Sequence, residues 1–312
     1  MEEILSVRDL KRVYGRGTAA TQALGGVSLS VERGEFVGIM GPSGSGKTTL
    51  LNCIATIDRP TSGSIRVGGQ ELTGLRGRAL TRFRRERLGF IFQDCNLLDT
   101  LTAFENIALA LAITRAPAKE IEGRVREMSQ RLGIEDCLDK YPYQMSGGQQ
   151  QRCAAARAMV TRPDLVLADE PTGALDSRAA GLLLERLESL NRDLGATILM
   201  VTHDAFTASC CRRVIFLRDG QVFTQLLRQG DRRDFFRQIM DVVAQLGGEV
   251  QNVLEAGSGQ RAPLLPGLRC LSPHPHLRRV PVLHLQLRGG PGGHPLSPGE
   301  EPRDGAGHPH RA

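Results

Sequence analysis

The run Glu35-Phe36-Val37-Gly38-Ile39-Met40 is short and apolar, and it ends against Gly41-Pro42-Ser43-Gly44-Ser45-Gly46-Lys47-Thr48-Thr49. The first segment reads as a buried strand, and the second satisfies the pattern G-x-x-x-x-G-K-[ST]. A strand, a glycine-rich loop and a helix starting near Lys47 leave few folds open. They make one unit of an α/β sheet whose ligands bind at the carboxyl ends of its strands. Gly44 and Gly46 let successive backbone N–H groups turn inward around a β-phosphate, and the helix adds the positive end of its dipole. Lys47 then reaches the β/γ-oxygens and Thr48 ligates magnesium. Gly/Ser-rich turns before helices also occur without a ligand, but the Lys and Thr at these places point to a nucleotide.

A second apolar run, Leu165-Val166-Leu167-Ala168, ends in Asp169 and Glu170. It reads as a central parallel strand that delivers carboxylates at its carboxyl end. Asp169 is placed to hold magnesium through water, and Glu170, one residue past the strand, to orient or deprotonate an attacking water. An acidic turn capping a strand is the plainer reading of these two residues taken alone. Met145-Ser146-Gly147-Gly148-Gln149 precedes a helical stretch, Gln150 to Val160, so that Ser146 through Gln149 present free N–H groups and a helix dipole suited to a γ-phosphate. Without the phosphate loop the same residues would be a Ser N-cap with flexible glycines. His203 is the only histidine before residue 256 and follows the strand-like Thr197-Ile198-Leu199-Met200-Val201-Thr202; Gln93 follows Leu88-Gly89-Phe90-Ile91-Phe92.

With these motifs in this order, together with Ala174-Leu175-Asp176, the chain resembles the ATP-binding subunit of an ABC transporter over roughly residues 4–225. The resemblance implies a P-loop NTPase of α/β class, with a RecA-like core, an amino-terminal antiparallel β-subdomain and a helical signature subdomain. It implies ATP and Mg2+ as ligands, with Thr48, Gln93 and Asp169 at the metal. It also implies a homodimer packed head to tail, in which ATP on Lys47 and residues 41–49 of one copy is closed over by Ser146, Gly147, Gly148 and Gln149 of the other. Asp176 communicates across the seam, His203 is the switch that holds the γ-phosphate and the water beside Glu170, and Gln93 couples the site to a helical insert at about 94–160. Tyr14 sits where the family places an aromatic against adenine; stacking accepts any purine, and packing on the amino-terminal strands is the plainer reading of it. The insert docks on an integral membrane permease, which sets the location: cytoplasmic, peripheral on the inner face of the plasma membrane.

Three stretches are similar to the bacitracin-export type, which serves antimicrobial-peptide sensing and resistance: residues 55–63, residues 92–102 and residues 234–248. That type brings in a sensor histidine kinase, reached through the permease. Lipoprotein-release, macrolide-export and cell-division ATPases share most of the motifs and stay open as alternatives, and a soluble ABC ATPase without a permease is a further class. Tyr143, Met145 and Gly173 depart from the commonest family residues; none removes a catalytic group, and Gly173 reads as neutral.

Composition agrees with this picture. The 312 residues are 40% hydrophobic, enough for one α/β domain over residues 1–230 and a C-terminal helix over 231–255. No apolar run approaches the roughly 20 residues of a membrane-spanning helix. Seven cysteines without C-x-x-C spacing suit reduced thiols. The run Arg76 to Arg87 is basic enough to consider an anionic lipid surface or RNA, but reads first as a solvated helix; the mild charge of the core gives no case for nucleic acid. Residues 256–312 hold ten of the sixteen prolines and six of the seven histidines. They are expected to be a disordered Pro/Gly/His/Arg-rich tail with no preorganised metal site.

Overall fold

The parallel strands of this protein are apolar along their interiors, with charges only at strand ends such as Asp169, Arg213 and Arg218, because both of their faces are covered. In a computed structural model that describes residues 2–255 apart from Arg16, a six-stranded sheet runs in the order β10-β9-β3-β8-β7-β6. Its members are β3 (Phe36–Met40), β6 (Leu88–Ile91), β7 (Leu165–Asp169), β8 (Ile198–Val201), β9 (Arg213–Arg218) and β10 (Gln221–Leu227). The pairs β3–β8, β3–β9, β7–β8 and β6–β7 are parallel, and β10 closes one edge antiparallel to β9. Alternate residues enter two different cores. Leu165 and Leu167 of β7 pack with Val37, Ile39, Leu199 and Val201 on one face, whereas Val166 and Ala168 pack with Phe36, Met40, Ile198 and Met200 on the other. Each buried aliphatic side chain contributes about 1.5–3 kcal/mol, so the period-2 alternation of a one-sided sheet is absent from the sequence.

A second, antiparallel sheet of order β2-β1-β4-β5 covers the first of these cores. It is built from β1 (Glu3–Tyr14), β2 (Thr21–Glu32), β4 (Ser62–Val67) and β5 (Gln70–Glu71). Only β1 and β2 are amino-terminal. The other two strands follow α1 (Lys47–Ile54), and β4 returns to pair with β1, Lys11 opposite Ser62 and Leu5 opposite Val67. The antiparallel sheet is thus threaded through the phosphate-loop helix, a long-range pairing that the motifs do not announce.

The opposite core is closed by α3 (Ala103–Ile113), α4 (Ala118–Leu132), α5 (Gly147–Met159) and α6 (Ser177–Leu194). The first three fall within residues 94–160. Between α1 and β6 lies α2 (Gly77–Arg87), which buries Phe83 and spends part of its charge on pairs of Arg82 and Arg85 with Glu86 and of Arg87 with Asp164. After β8 come the short α7 (Ala205–Ala208) and, beyond β10, α8 (Arg232–Glu255), which buries Phe235 and Ile239 in the same core. Among the described residues no helix is long and apolar enough to cross a membrane. Six cysteines are buried free thiols; burial pushes Cys53, Cys153 and Cys210 up to about 12 and Cys95 to about 11, which keeps them protonated and unreactive. The tail from residue 256, expected to be disordered, lies outside the described residues, and Cys270 with it.

Candidate nucleotide site

Parallel order brings the loops after β3, β6, β7 and β8 to one edge of the sheet, and these are the loops that carry the predicted residues. The loop after β3 is shaped by contacts that admit no side chain. A Cβ on Gly41 would lie 2.1 Å from Leu217 O, and one on Gly46, at φ 97°, would lie 2.6 Å from Ala23 O. Gly46 is the N-cap of α1, so Lys47 and Thr48 open the helix and Thr48 is exposed there. Lys47 Nζ donates to Gly41 O at 2.8 Å and to Pro42 O at 2.9 Å, leaving one of its three N–H groups uncommitted. Pro42, Ser43 and Gly44 are exposed at the tip. Ser45 is turned inward: its side chain is buried, its Oγ has no hydrogen-bond partner, and its N–H donates to Pro42 O at 3.2 Å. The expected contact of Ser45 with a phosphate is therefore not offered by its side chain.

The end of β7 supplies the acids. Burial raises the Asp169 carboxyl, Glu170 raises it further, and Lys47 pulls it back down. Lys47 is itself pushed down by burial and held up by Glu170 and Asp169, so the three groups sense one another across the loop. Glu170 takes φ 45°, a left-handed conformation that costs a non-glycine residue roughly 1–3 kcal/mol. Its N–H donates to Val201 O, the following turn closes with Gly173 N–H on Glu170 O, and its Oε1 lies 2.8 Å from His203 Nδ1. His203, mostly exposed, thereby joins the end of β8 to the end of β7. Gln93 approaches the same turn: a Cβ on Gly173 would lie 3.1 Å from Gln93 Cδ. A side chain at position 173 would require the Gln93 amide to give by a few tenths of an ångström, so Gly173 leaves Gln93 its room beside the turn.

A hydroxyl relay that sequence inspection missed braces this corner. Thr207 Oγ1 donates to Asp204 Oδ2 at 2.5 Å, so the buried contact of 3.0 Å between Thr172 and Thr207 must have Thr172 as its donor. The relay joins the turn after Glu170 to the helix after His203, over a sequence separation that no local pattern reveals. Thr207→Val leaves the Thr172 hydroxyl without an acceptor. It is expected to lower stability by about 1–3 kcal/mol in urea unfolding, with Thr207→Ser restoring it.

The signature residues open α5. Ser146 is the N-cap, and its Oγ accepts from Gln149 N–H while Gln149 Oε1 accepts from Ser146 N–H at 2.9 Å. Sequence reading offered all four backbone N–H groups from Ser146 to Gln149; the capping box consumes the first and last. Gly147 and Gly148 keep theirs, since the first turn of a helix has no acceptor for them, and the Ser146 hydroxyl hydrogen also remains. The Gln149 side chain is tied back and is not presented outward. Nor is Gly148 flexible: it is buried, and a Cβ there would lie 2.9 Å from Ala179 Cβ in α6. Asp176 caps α6 through Arg178 and Ala179 N–H, both at 2.9 Å. Tyr14 ends β1; its ring lies against Arg12 and its hydroxyl donates to Asp58. Magnesium fits the donor set of Thr48, Asp169 and Gln93, which is all oxygen. The described residues hold no group of three or more His, Cys, Asp or Glu that could hold a metal ion.

Comparison with known proteins gives the same family from three directions. The family model described as ABC transporter matches residues 24–173. The ABC transporter ATP-binding protein YxdL of Bacillus subtilis is 49% identical over 81% of this chain and 98% of its own length. The bacitracin export ATP-binding protein BceA of Halalkalibacterium halodurans is 51% identical over 80% of this chain and 98% of its own. Among solved structures, an ATP-binding cassette dimer in a post-hydrolysis state, bound to ADP and Pi, is 38% identical with a TM-score of 0.67, covering 73% of this chain and all of that one.

Proposed function

The chain belongs to the ABC transporter ATP-binding proteins and is an ATPase of that family, a transporter nucleotide-binding subunit, and from that premise we propose that two copies close head to tail over two ATP molecules and drive a membrane permease that handles antimicrobial peptides. The Glu170–His203 contact of 2.8 Å at the end of β7, beside Lys47 and Asp169, carries the catalytic part of this reading. Glu170 takes the proton of the attacking water, and His203 holds the carboxylate and the γ-phosphate in register. Lys47 and the loop N–H groups neutralise the phosphoryl charge. The Gly147 and Gly148 N–H groups, left free as the first turn of a helix leaves them, and the Ser146 hydroxyl face the same phosphate from the other copy. Thr48, Asp169 and Gln93 would hold Mg2+, which supplies charge neutralisation on the phosphate oxygens when bound.

The permease side of the proposal has its own support. A groove between α2, β6, α3 and α5 is lined by Arg84, Arg85, Phe90, Phe92, Ile113 and Arg157. Phe90 and Phe92 stack at 5.7 Å, and Ile113 is 48% exposed. Phe92 immediately precedes Gln93, so a segment seated in the groove bears on a residue that touches the Glu170 turn. Similarity to a bacitracin export protein at 51% identity favours a peptide antibiotic as cargo. Relatives described as macrolide export proteins match over only 34% of their own length, so this chain corresponds to a part of them.

The test is capture of the tagged chain from its host membranes. Recovery of a permease with a large extracellular domain, beside a sensor histidine kinase, is expected. A lipoprotein-release or division partner would keep the engine and change its cargo, and recovery with ribosomes or DNA alone would overturn the permease reading. Ile113→Glu is expected to lose the permease while retaining ATPase activity in solution.

A further inference from the structure

We propose that Asp58 and Arg12 are positioning residues for the adenine end of the nucleotide, holding Tyr14 as a fixed plate with one face reserved for the purine. The proposal rests on the reading of Tyr14 given above and adds the residues that make it work. Arg12 grips Asp58 with two hydrogen bonds, Nε to Oδ2 at 3.1 Å and a terminal nitrogen to Oδ1 at 2.6 Å. The same guanidinium lies 4.3 Å from the centroid of the Tyr14 ring, and the Tyr14 hydroxyl donates to Asp58 Oδ2. One carboxylate therefore fixes both the ring edge and the cation that covers one ring face. Tyr14 as a residue stays 39% exposed. A planar guanidinium on one face draws electron density from the ring, and an electron-poor ring is the better partner for an electron-rich purine on the other.

Position supports the assignment. Tyr14 pairs with Thr21 across the β1–β2 hairpin, two residues from Ala23, whose carbonyl closes on Gly46. Asp58 is not free to drift. Its N–H and that of Ile57 both donate to Asn52 O on α1, Thr61 Oγ1 accepts from Val13 N–H, and Thr61 N–H donates to Lys11 O. Helix α1 thus carries Lys47 and Thr48 at its start and, just beyond its end, the carboxylate that sets Tyr14. Burial raises Asp58, but hydrogen bonds from Tyr14, the Arg59 N–H and Arg12 outweigh it and hold the carboxyl below its usual range. It stays ionised throughout the neutral range.

The test measures Kd for ATP and for inorganic tripolyphosphate, which lacks the base, on the full chain. Tyr14→Ala is expected to weaken ATP by about 10-fold or more and leave tripolyphosphate unchanged. Asp58→Ala is expected to weaken ATP several-fold in the parent chain, with tripolyphosphate unchanged, and to have no further effect in the Tyr14→Ala background. An equal loss in both backgrounds, or an equal loss for tripolyphosphate, would show a general structural role and overturn the proposal; so would an unchanged ATP affinity. If Tyr14→Ala itself leaves ATP binding intact, the purine-plate reading fails first and the clamp with it. Should Asp58→Ala not fold, Arg12→Gln uncovers the ring while keeping the Tyr14–Asp58 hydrogen bond, and the same outcomes apply.

Discussion

Glu170→Gln is expected to lower ATP turnover by about 10²–10⁴-fold and to leave an ATP-bound dimer that elutes at twice the monomer mass in gel filtration. The amide keeps the size of the carboxylate and still reaches His203 Nδ1, 2.8 Å away in the parent protein, so closure survives and proton abstraction does not. Removing the charge also relieves Asp169, whose carboxyl is raised by burial and by Glu170. Nucleotide affinity should accordingly hold or rise. A variant that stays monomeric in ATP and turns over at the parent rate would remove Glu170 from its role.

Lys47→Ala is expected to act earlier, on binding itself. A charge-assisted hydrogen bond is worth about 1.5–3 kcal/mol, which is roughly a 10- to 150-fold rise in Kd for ATP by calorimetry. The loss is larger than that of one contact, because burial already pushes Lys47 down while Asp169 and Glu170 hold it charged. Without the ammonium those two carboxylates face each other and the incoming phosphates with one cation fewer. Unchanged affinity in this variant, with the fold intact by circular dichroism, would argue against the loop as the phosphate site.

The contrast between these residues and the ones that were not anticipated is physical. Gly41, Gly46, Lys47 and Thr48 stand within eight positions, and the loop they form is local, so spacing alone exposes it. Asp169, Glu170 and His203 follow apolar runs whose length marks them as buried parallel strands, and the carboxyl ends of such strands meet at one edge. The Thr172–Thr207 relay and the Arg12–Asp58–Tyr14 clamp join residues 35 to 46 positions apart. Neither leaves a period or a motif; each depends on which strand lies beside which. The insertion of β4 beside β1 belongs to the same class. Ser146 and Gln149 illustrate a subtler limit. Their spacing is legible both as a phosphate-binding loop and as a capping box, and the fold uses it as a capping box, which leaves only the two glycine amides of the first turn uncommitted.

Ala179 stands behind Gly148 at one end of its environment and donates its N–H to Asp176 at the other. The first turn of α6 therefore touches both the signature helix and the Asp176 loop, the two elements that the proposed dimer would bring to its seam. In the head-to-tail dimer proposed above, pressure on α5 from the other copy's nucleotide would meet Ala179 directly, because a Cβ on Gly148 would already lie 2.9 Å from the Ala179 methyl. Two ATP molecules bound by a pair of such chains should thus behave as a single event in titration, steeper than independent sites allow, even in a detergent-free preparation with no permease present.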